Sequence, residues 1–389
     1  MILDVIASTK AGYKADKEEL DRFGGISAGV CYSANGFESL LNEPQEKTMA
    51  RVERTKASGH HSVFGHGEVS LVIEGVPKAL AMFLNNEKEY NTSERSARYT
   101  KMAMTDEEEA LYEKWMAIFT DKIKARYAGV APEFFTERKI KTLAQENARY
   151  LISVFTRTTL EYTTSYRQLN YLYGFMQKEI ARENPTEFDK MLRPHFAEFC
   201  EKLEALNLVD ERLAENGKGR EFSLIDRGNA PVTKYYGDVY STSYDASFAY
   251  LAQAQRHRTI DYSFKFDGEK FFVPPILKDD KNLVAEWLKD CHSRYFPQGM
   301  LLKVEERGTY KNFILKMQER LCSCAQLEIN QKTLEVLKEY TTALRASNHP
   351  KYEELKEFQG SRCTFPNNYR YNCTTPCHFK DGVTGEREI

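Results

Sequence analysis

A pattern of strand, helix and polar loop occurs twice in this sequence, and it constrains the fold more than any other feature. The first copy lies near residues 67–101 and the second near residues 237–270. Aligning Val69 with Val239 also aligns Asn86 with Arg256, although few residues of the two segments are identical. A repeat of this kind predicts two diverged copies of one module within the 389 residues.

Local patterns predict the individual elements. Alternating apolar residues predict a strand at 67–76. Thr105 and Glu108 have the spacing of a capping box, which predicts a helix over 105–127. The same reasoning predicts helices at 78–84, 187–206 and 248–258, a strand at 237–247, and a polar linker at 210–227.

The charge balance excludes some classes of partner. With 55 basic and 57 acidic residues, the net charge is −2, which argues against a general nucleic-acid coat or an anionic-membrane binder. A few local basic residues must therefore hold any bound phosphate. We expect a cytoplasmic protein with reduced thiols, because there is no signal-peptide pattern, no apolar run of roughly 20 residues, and only eight cysteines.

Two basic clusters are candidate phosphate sites. In the first, Arg256, His257 and Arg258 can surround a phosphate, since the planar guanidinium donates paired hydrogen bonds to phosphate oxygens. The alternative interpretation is a solvated helix end, whose cations lie near the negative end of the helix dipole. In the second, Ser96 and Arg98 are a reasonable monophosphate clamp, or else part of a charged turn before the next helix.

Histidines and cysteines suggest two further sites, neither with a strong metal signature. The segment GHHSVFGHGE contains His60, Ser62 and two more histidines, but it lacks the helical spacing of zinc proteases. Near the C-terminus, zinc is an alternative to free thiols. The residues concerned are Cys363, Cys373, Cys377 and His378. We predict no metal.

Taken together, the clusters resemble the flavin-dependent thymidylate synthases. The segment HHSVFGH at 60–66 resembles the family's H-x-[ST]-x-F-E-H, with Gly65 in place of its glutamate, and SERSARY at 93–99 resembles its nucleotide loop. The family's R-H-R is replaced by Asn-Glu-Lys at 86–88 but present at 256–258. RLCSCAQLEI resembles R-x-x-S-H-A-Q-W-E-I. The N-terminal half thus keeps the nucleotide loop and lacks R-H-R, whereas the C-terminal half keeps R-H-R and lacks the nucleotide loop.

The resemblance implies a role for each matching residue. Arg320 takes the place of the family's catalytic arginine, whereas the N-terminal counterpart falls near Met176. The implied substrate-binding residues are Glu94, Arg95, Ser96, Arg98, Arg149, Gln253, Arg256 and Arg294. The implied cofactor-binding residues are His60, Ser62, Ser165, Arg167, Arg256, His257 and Arg258.

The resemblance also implies a fold and an assembly. The fold is α+β, with two degenerate copies of the family fold, each a twisted, mainly antiparallel sheet packed with helices. We expect an N-terminal half at 1–215, a C-terminal half at 216–345 and a cysteine-containing tail at 346–389. Because the family builds its sites across the subunits of a homotetramer, we expect a homodimer that imitates this tetramer, with sites that combine the halves of partner chains.

The activity implied is methylation of dUMP at carbon 5, with methylenetetrahydrofolate as the carbon donor, reduced FAD as the hydride donor and NADPH as the reductant of the flavin. Two alternatives stay open. One is flavin- and folate-dependent modification of carbon 5 of another pyrimidine nucleotide, such as hydroxymethylation of dCMP or dUMP. The other is a non-catalytic nucleotide-binding protein.

Overall fold

The chain forms two compact units, each assembled from two separate stretches of sequence. Unit 1 consists of Met1–Arg95 and Arg157–Glu221, and unit 2 of Ser96–Thr156 and Phe222–Ile389. The computed structural model describes residues 1–8, 16–30, 33, 36–98, 100–214, 223–228, 232–358, 360–370, 373–377 and 387–389.

Unit 1 contains a four-stranded antiparallel sheet. Its strands are β1 (Ile2–Ser8), β2 (Glu68–Pro77), β3 (Asn91–Glu94) and β4 (Arg157–Ser165), in the order β1-β2-β4-β3. Its helices are α1 (Lys17–Val30), α2 (Gly36–Leu41), α3 (Gln45–Ala57), α4 (Lys78–Leu84), α7 (Tyr166–Ala181), α8 (Glu187–Ala205) and α9 (Glu211–Ala214). Val69, Leu71 and Ile73 alternate along β2 and are fully buried, because they occupy the face of the sheet that the helices cover.

Unit 2 contains a second four-stranded antiparallel sheet. Its strands are β5 (Tyr235–Tyr236), β6 (Val239–Ser247), β7 (Asp261–Phe271) and β8 (Met300–Thr309), in the order β5-β6-β8-β7. Its helices are α5 (Asp106–Arg126), α6 (Glu137–Ala148), α10 (Phe248–Ala254), α11 (Lys281–His292), α12 (Tyr310–Arg320), α13 (Leu327–Ala346) and α14 (Tyr352–Leu355). Tyr310, Phe313, Met317 and Tyr340 lie in one apolar core formed by α12 and α13.

The two sheets follow the same plan. In each, the second strand leads into a helix of seven residues, and the last strand leads into a longer helix that begins after a hydroxyl N-cap. These caps are Ser165, which accepts a hydrogen bond from the Gln168 backbone N–H, and Thr309, which accepts one from the Asn312 N–H. The predicted α+β class with two mainly antiparallel sheets is confirmed.

Most of the predicted elements are found, and one ends early. Thr105 caps α5 and forms the predicted capping box with Glu108. The helix expected over 248–258 ends at Ala254, and a turn that buries His257 follows it. Arg256 and Arg258 are exposed just after the C-terminal cap Gln255, so both the phosphate site and the solvated helix end stay open for them. In the part of the chain that the structure describes, no helix has both the length and the apolar character needed to cross a membrane.

Residues 96–156 belong to unit 2, although they precede residue 157 of unit 1 in the chain. They pack there through Trp115 of α5, whose ring meets that of Trp287 in α11 edge-on at 4.8 Å. Compact units therefore do not follow the predicted ranges 1–215, 216–345 and 346–389, which remain a proposal about how function is divided. Part of the predicted linker at 210–227 lies outside the described residues.

Candidate functional site

The R-H-R segment turns its central residue inward and its two arginines outward. His257 is buried, whereas Arg256 and Arg258 are exposed. Burial lowers the pKa of His257 to about 2, and the positive charges of Arg320 and Lys316 contribute. His257 is therefore neutral at pH 7, so the positive charge of this segment belongs to the two arginines.

Arg320, the last residue of α12, is held by this neutral histidine. Its Nε donates a hydrogen bond of 2.8 Å to His257 Nε2, and its Nη2 lies 3.5 Å from the backbone oxygen of Gln253. Burial is the main factor that lowers the pKa of Arg320, and the nearby charge of Arg98 also contributes. Among the described residues, none accepts a hydrogen bond from Nη1 of Arg320, so this nitrogen can donate to a ligand.

The candidate nucleotide loop folds back on itself in unit 2. The Ser96 hydroxyl accepts a hydrogen bond of 3.3 Å from the Arg98 backbone N–H. The Arg98 guanidinium donates to Glu146 Oε1 through Nε at 2.7 Å and to the Cys324 backbone oxygen through Nη2 at 3.3 Å. Since Glu146 is almost completely buried, it fixes the orientation of Arg98. Tyr99 of this loop lies outside the described residues.

A buried chain of polar side chains continues from this loop. Arg149 donates through Nε to the backbone oxygen of Glu146 at 3.3 Å and through Nη2 to Gln326 Oε1. Gln253 Nε2 donates to the same Gln326 oxygen, while Gln253 Oε1 is buried and has no hydrogen-bond partner among the described residues. Gln326 Nε2 donates to the Tyr150 hydroxyl at 2.5 Å. The unpaired Gln253 oxygen is an acceptor suited to a ligand N–H.

These contacts bring Arg98 of the candidate nucleotide loop and Arg320 of the C-terminal half together within unit 2. Arg98 contacts the segment that follows Arg320, and both Arg98 and Arg320 are linked to Gln253 through the polar chain. We call the set the arginine network, and its members are Arg98, Glu146, Arg149, Gln253, His257, Arg320 and Gln326. Sequence reasoning missed Glu146 and Gln326, although Gln326 lies in the matched segment RLCSCAQLEI and Glu146 lies three residues before Arg149.

Glu94 and Arg95 of the candidate loop belong to unit 1. Glu94 accepts hydrogen bonds from Lys78 Nζ at 2.6 Å and from Asn85 Nδ2 at 3.2 Å, which anchor β3 next to α4. The Arg95 backbone N–H donates to the Thr159 oxygen, and its side chain is exposed. For Glu94, these contacts indicate a structural role.

The remaining N-terminal candidates also lie in unit 1. His60 and Ser62 are exposed at the short 3-10 helix His61–Gly65. A Cβ added at Gly65 would meet no atom within 4 Å, so the departure from the family's glutamate leaves open space. Ser165 caps α7, and Arg167 is half-buried in the first turn of that helix.

Arg294 occupies a different part of unit 2 from the arginine network. It follows α11, and its Nη1 lies 3.5 Å from a carboxylate oxygen of Glu107 in the first turn of α5. Its Nε is buried, and no residue that the structure describes accepts a hydrogen bond from it. No hydrogen bond or ion pair of Arg294 within the described ranges reaches Arg320.

A fully buried ion pair lies beneath the arginine network. Lys316 Nζ of α12 is 2.6 Å from Glu306 Oε2 of β8, and neither side chain is exposed. Tyr240 donates to the other Glu306 oxygen at 2.6 Å, and Lys316 Nζ also contacts the Tyr250 hydroxyl at 3.1 Å. The charge of Lys316 contributes to the low pKa of His257 and so helps to keep that ring neutral.

The cysteine tail shows no zinc cluster in its described part. Cys363 is half-buried, Cys373 is exposed and Cys377 is buried, all as free thiols. Across the described residues, no group of three or more His, Cys, Asp or Glu side chains has the arrangement of a metal site. His378 lies outside the described residues.

Fold and site together define the class of protein, an α+β protein with an arginine-rich polar site suited to an anionic ligand. Residues 18–201 match the family model described as "Thymidylate synthase complementing protein". The flavin-dependent thymidylate synthase of Thermococcus onnurineus is 24% identical over 163 residues, which cover 39% of this chain and 62% of the relative. The enzyme of that name from Pyrococcus furiosus is 23% identical over the same shares.

The family model matches a little under half of this chain, and the chain is similar to these curated relatives over 62% of their length. Solved structures were also matched. A UMP/dUMP methylase, PolB from Streptomyces cacaoi bound with 5-Br dUMP, has a TM-score of 0.33 and 16% identity, covering 55% of this chain and 93% of that one. ThyX from Helicobacter pylori complexed with FAD and dUMP has a TM-score of 0.31 and 14% identity, covering 54% and 100%.

Proposed function

We propose that this protein is a flavin-dependent thymidylate synthase that methylates dUMP at carbon 5, with methylenetetrahydrofolate as carbon donor and NADPH as reductant. One observation carries the proposal: Arg98, from the loop that resembles the family's nucleotide loop, and Arg320, at the place of its catalytic arginine, join one polar network in unit 2. Residues that resemble the family in the N-terminal half and residues that resemble it in the C-terminal half thus belong to one network.

The network suits a pyrimidine monophosphate. Ser96 and Arg98 bind the phosphate, and Glu146 orients the Arg98 guanidinium for this task. The buried Gln253 Oε1 accepts the ring N–H of the base, which satisfies its missing hydrogen bond. Arg320 stabilises the negative charge that develops on the ring as carbon 5 reacts, and the neutral His257 holds it in place.

The residues at 256–258 fit the phosphates of a flavin. Arg256 and Arg258 are exposed on either side of the buried His257, so that both cations face solvent from a fixed turn. FAD, when bound and reduced, supplies the hydride that completes the methyl group. His60, Ser62, Ser165 and Arg167 of unit 1, and Arg294 of unit 2, remain proposed ligand contacts on the strength of the resemblance.

Product analysis tests the reaction. Purified protein is incubated with FAD, NADPH, methylenetetrahydrofolate and either dUMP or dCMP, and the nucleotide product is identified by mass spectrometry. We expect dTMP from dUMP and no product from dCMP. A hydroxymethylated nucleotide, or turnover of dCMP alone, would replace the proposed reaction with the alternative one. Bound flavin without any product would favour a non-catalytic protein.

Nucleotide binding tests the role of the loop separately. Arg98→Ala removes charge-assisted hydrogen bonds worth about 1.5–3 kcal/mol, so we expect calorimetry to show dUMP affinity reduced by about 10- to 100-fold. Flavin content should be unchanged. Arg138→Ala, at an exposed arginine of α6 in the same unit, is the matched control. Unchanged dUMP affinity in Arg98→Ala would remove the phosphate assignment.

Assembly is tested by mixing two variants at dUMP and FAD concentrations at which neither variant is active alone. The expected homodimer stays part of the proposal, but the contact between Arg98 and the Cys324 oxygen supports sites within one chain rather than across partners. We therefore expect a mixture of Arg98→Ala and Arg256→Ala chains, refolded together, to stay inactive despite proven subunit exchange. Recovered activity would show that the sites cross between chains.

A further inference from the structure

Two cysteines, separated by one residue, lie in the turn that connects α12 and α13. Cys322, Ser323 and Cys324 form a tight turn, which the Ala325 N–H closes with a hydrogen bond of 2.9 Å to the Cys322 oxygen. The Cys324 backbone N–H lies 3.4 Å from the Cys322 sulfur. Because only Ser323 separates the two cysteines, their Cα atoms can be at most about 7 Å apart, close to the Cα separation that disulfides span.

The two thiols differ in exposure and in proton affinity. Cys322 is buried, and Cys324 is exposed. A hydrogen bond from the Cys322 thiol lowers the pKa of Cys324 to about 6, and the nearby charge of Lys139 contributes. The same hydrogen bond raises the pKa of Cys322. At pH 7 the pair therefore consists of an exposed thiolate and a buried thiol, which is the arrangement of an attacking and a resolving cysteine.

The pair also adjoins the arginine network. The Cys322 N–H donates to the Arg320 backbone oxygen at 2.9 Å, and the Cys324 oxygen accepts from Arg98. The proposed methylation uses neither sulfur. A small-ring disulfide in this turn is strained, and strained disulfides are the easily reduced ones that serve regulation or catalysis.

We propose that Cys322 and Cys324 form a redox-active dithiol that exchanges with low-molecular-weight disulfides. The Cys324 thiolate attacks one sulfur of the small disulfide, and the first small thiolate leaves as a mixed disulfide forms. The Cys322 thiol then loses its proton and attacks the Cys324 sulfur, which releases the second small thiol. The two cysteines are oxidised to an intramolecular disulfide, and one small disulfide is reduced to two thiols.

Peptide mapping after treatment with oxidised glutathione tests the proposal on the full-length protein. Both cysteines fall in one tryptic peptide, residues 321–332. We expect this peptide to lose two hydrogens without keeping a glutathione adduct, and dithiothreitol to reverse the change. A persistent adduct on Cys324, a link from Cys324 to Cys377, or two unreacted thiols would each overturn the proposal.

Variants separate the two roles. Cys322→Ser removes the resolving thiol, so glutathione should stay attached to Cys324, whereas Cys324→Ser should leave the peptide unmodified. Cys373→Ser, at an exposed cysteine elsewhere in unit 2, is the matched control and should behave like wild type. The wild-type result stands if Cys322→Ser fails to fold. Alkylation of Cys324 should also rise with a midpoint near pH 6, and a midpoint near its ordinary value of 9.0 would contradict the assigned order of attack.

Discussion

The loops at 86–88 and 256–258 follow the same strand and the same seven-residue helix in their units, but they differ in what they expose. Both bury their central residue, Glu87 in unit 1 and His257 in unit 2. In unit 1 the first residue, Asn86, is buried as well and its amide lies 3.2 Å from Glu87 Oε1. In unit 2 the flanking positions are exposed arginines. The buried central residue thus serves the fold, and the flanking residues determine what the loop can bind.

The helices that follow the last strand repeat this contrast. Counted from their N-caps, Met176 of α7 occupies the place of Arg320 in α12, and Leu172 the place of Lys316. Met176 and Leu172 are fully buried apolar residues, whereas the corresponding residues of unit 2 carry charge at or beneath the arginine network. The same helix position therefore holds an apolar residue in unit 1 and a charged residue in unit 2, and the charged residues lie in the unit that contains the candidate site.

The buried ion pair offers the largest expected effect. Lys316→Leu copies the residue of unit 1 but leaves Glu306 buried without its cation, which should lower the free energy of unfolding by about 3–5 kcal/mol in urea denaturation. Lys303→Leu breaks the exposed pair with Asp245 on the same sheet and should cost at most about 1 kcal/mol. If both variants lowered the free energy of unfolding equally, the buried ion pair would contribute no more to stability than the exposed one, and this difference between the units would not matter.

Arg320→Met makes α12 match α7 at the candidate catalytic position. Removing a positioned donor of this kind typically lowers kcat by about 10²- to 10³-fold, and we expect a loss in that range for dTMP formation from dUMP. The fold should persist, because methionine already occupies this place in unit 1. Lys311→Met, at an exposed cation in the first turn of the same helix, should keep kcat. A fully active Arg320→Met enzyme would refute the catalytic assignment.

The two loops should differ in flavin binding. Arg256→Ala and Arg258→Ala each remove hydrogen bonds worth about 1.5–3 kcal/mol, so each should weaken FAD binding by about 10- to 100-fold and the double variant should be purified without flavin. Lys88→Ala, at the place of Arg258 in unit 1, should keep its flavin. Absorbance spectra give the occupancy, and full occupancy in the double variant would exclude unit 2 as the phosphate site.

The buried histidine should make stability depend on pH. The unfolded chain protonates His257 near its ordinary pKa of 6.5, but the folded protein does not until about 2. Its stabilising contribution is therefore present above pH 6.5 and is lost as the pH falls, by about 1.4 kcal/mol per pH unit. His257→Gln should remove that slope from unfolding measurements between pH 7 and 5, whereas His60→Gln at an exposed site should not. An unchanged slope in His257→Gln would contradict a buried neutral ring.

Local sequence signals predicted the elements well because their causes are local. The capping box of Thr105 and Glu108 and the alternation along β2 depend on neighbours a few residues away. The helix expected over 248–258 was predicted too long: it ends at Ala254, and His257 in the following turn is buried and accepts a hydrogen bond from Arg320, far along the chain. Glu146 and Gln326 were missed for a similar reason, since their importance lies in contacts with distant partners.

The sequence by itself determined the family resemblance, the α+β class, the repeated pattern and the two basic clusters, because these follow from residue order and short-range periodicity. Only the tertiary structure decided that residues 96–156 pack in unit 2 and that Arg98 and Arg320 share one network. It also decided that His257 points inward as a neutral acceptor, and that Cys324 lies exposed beside the buried Cys322. These outcomes depend on burial and on contacts between residues far apart in the chain, which residue order does not specify.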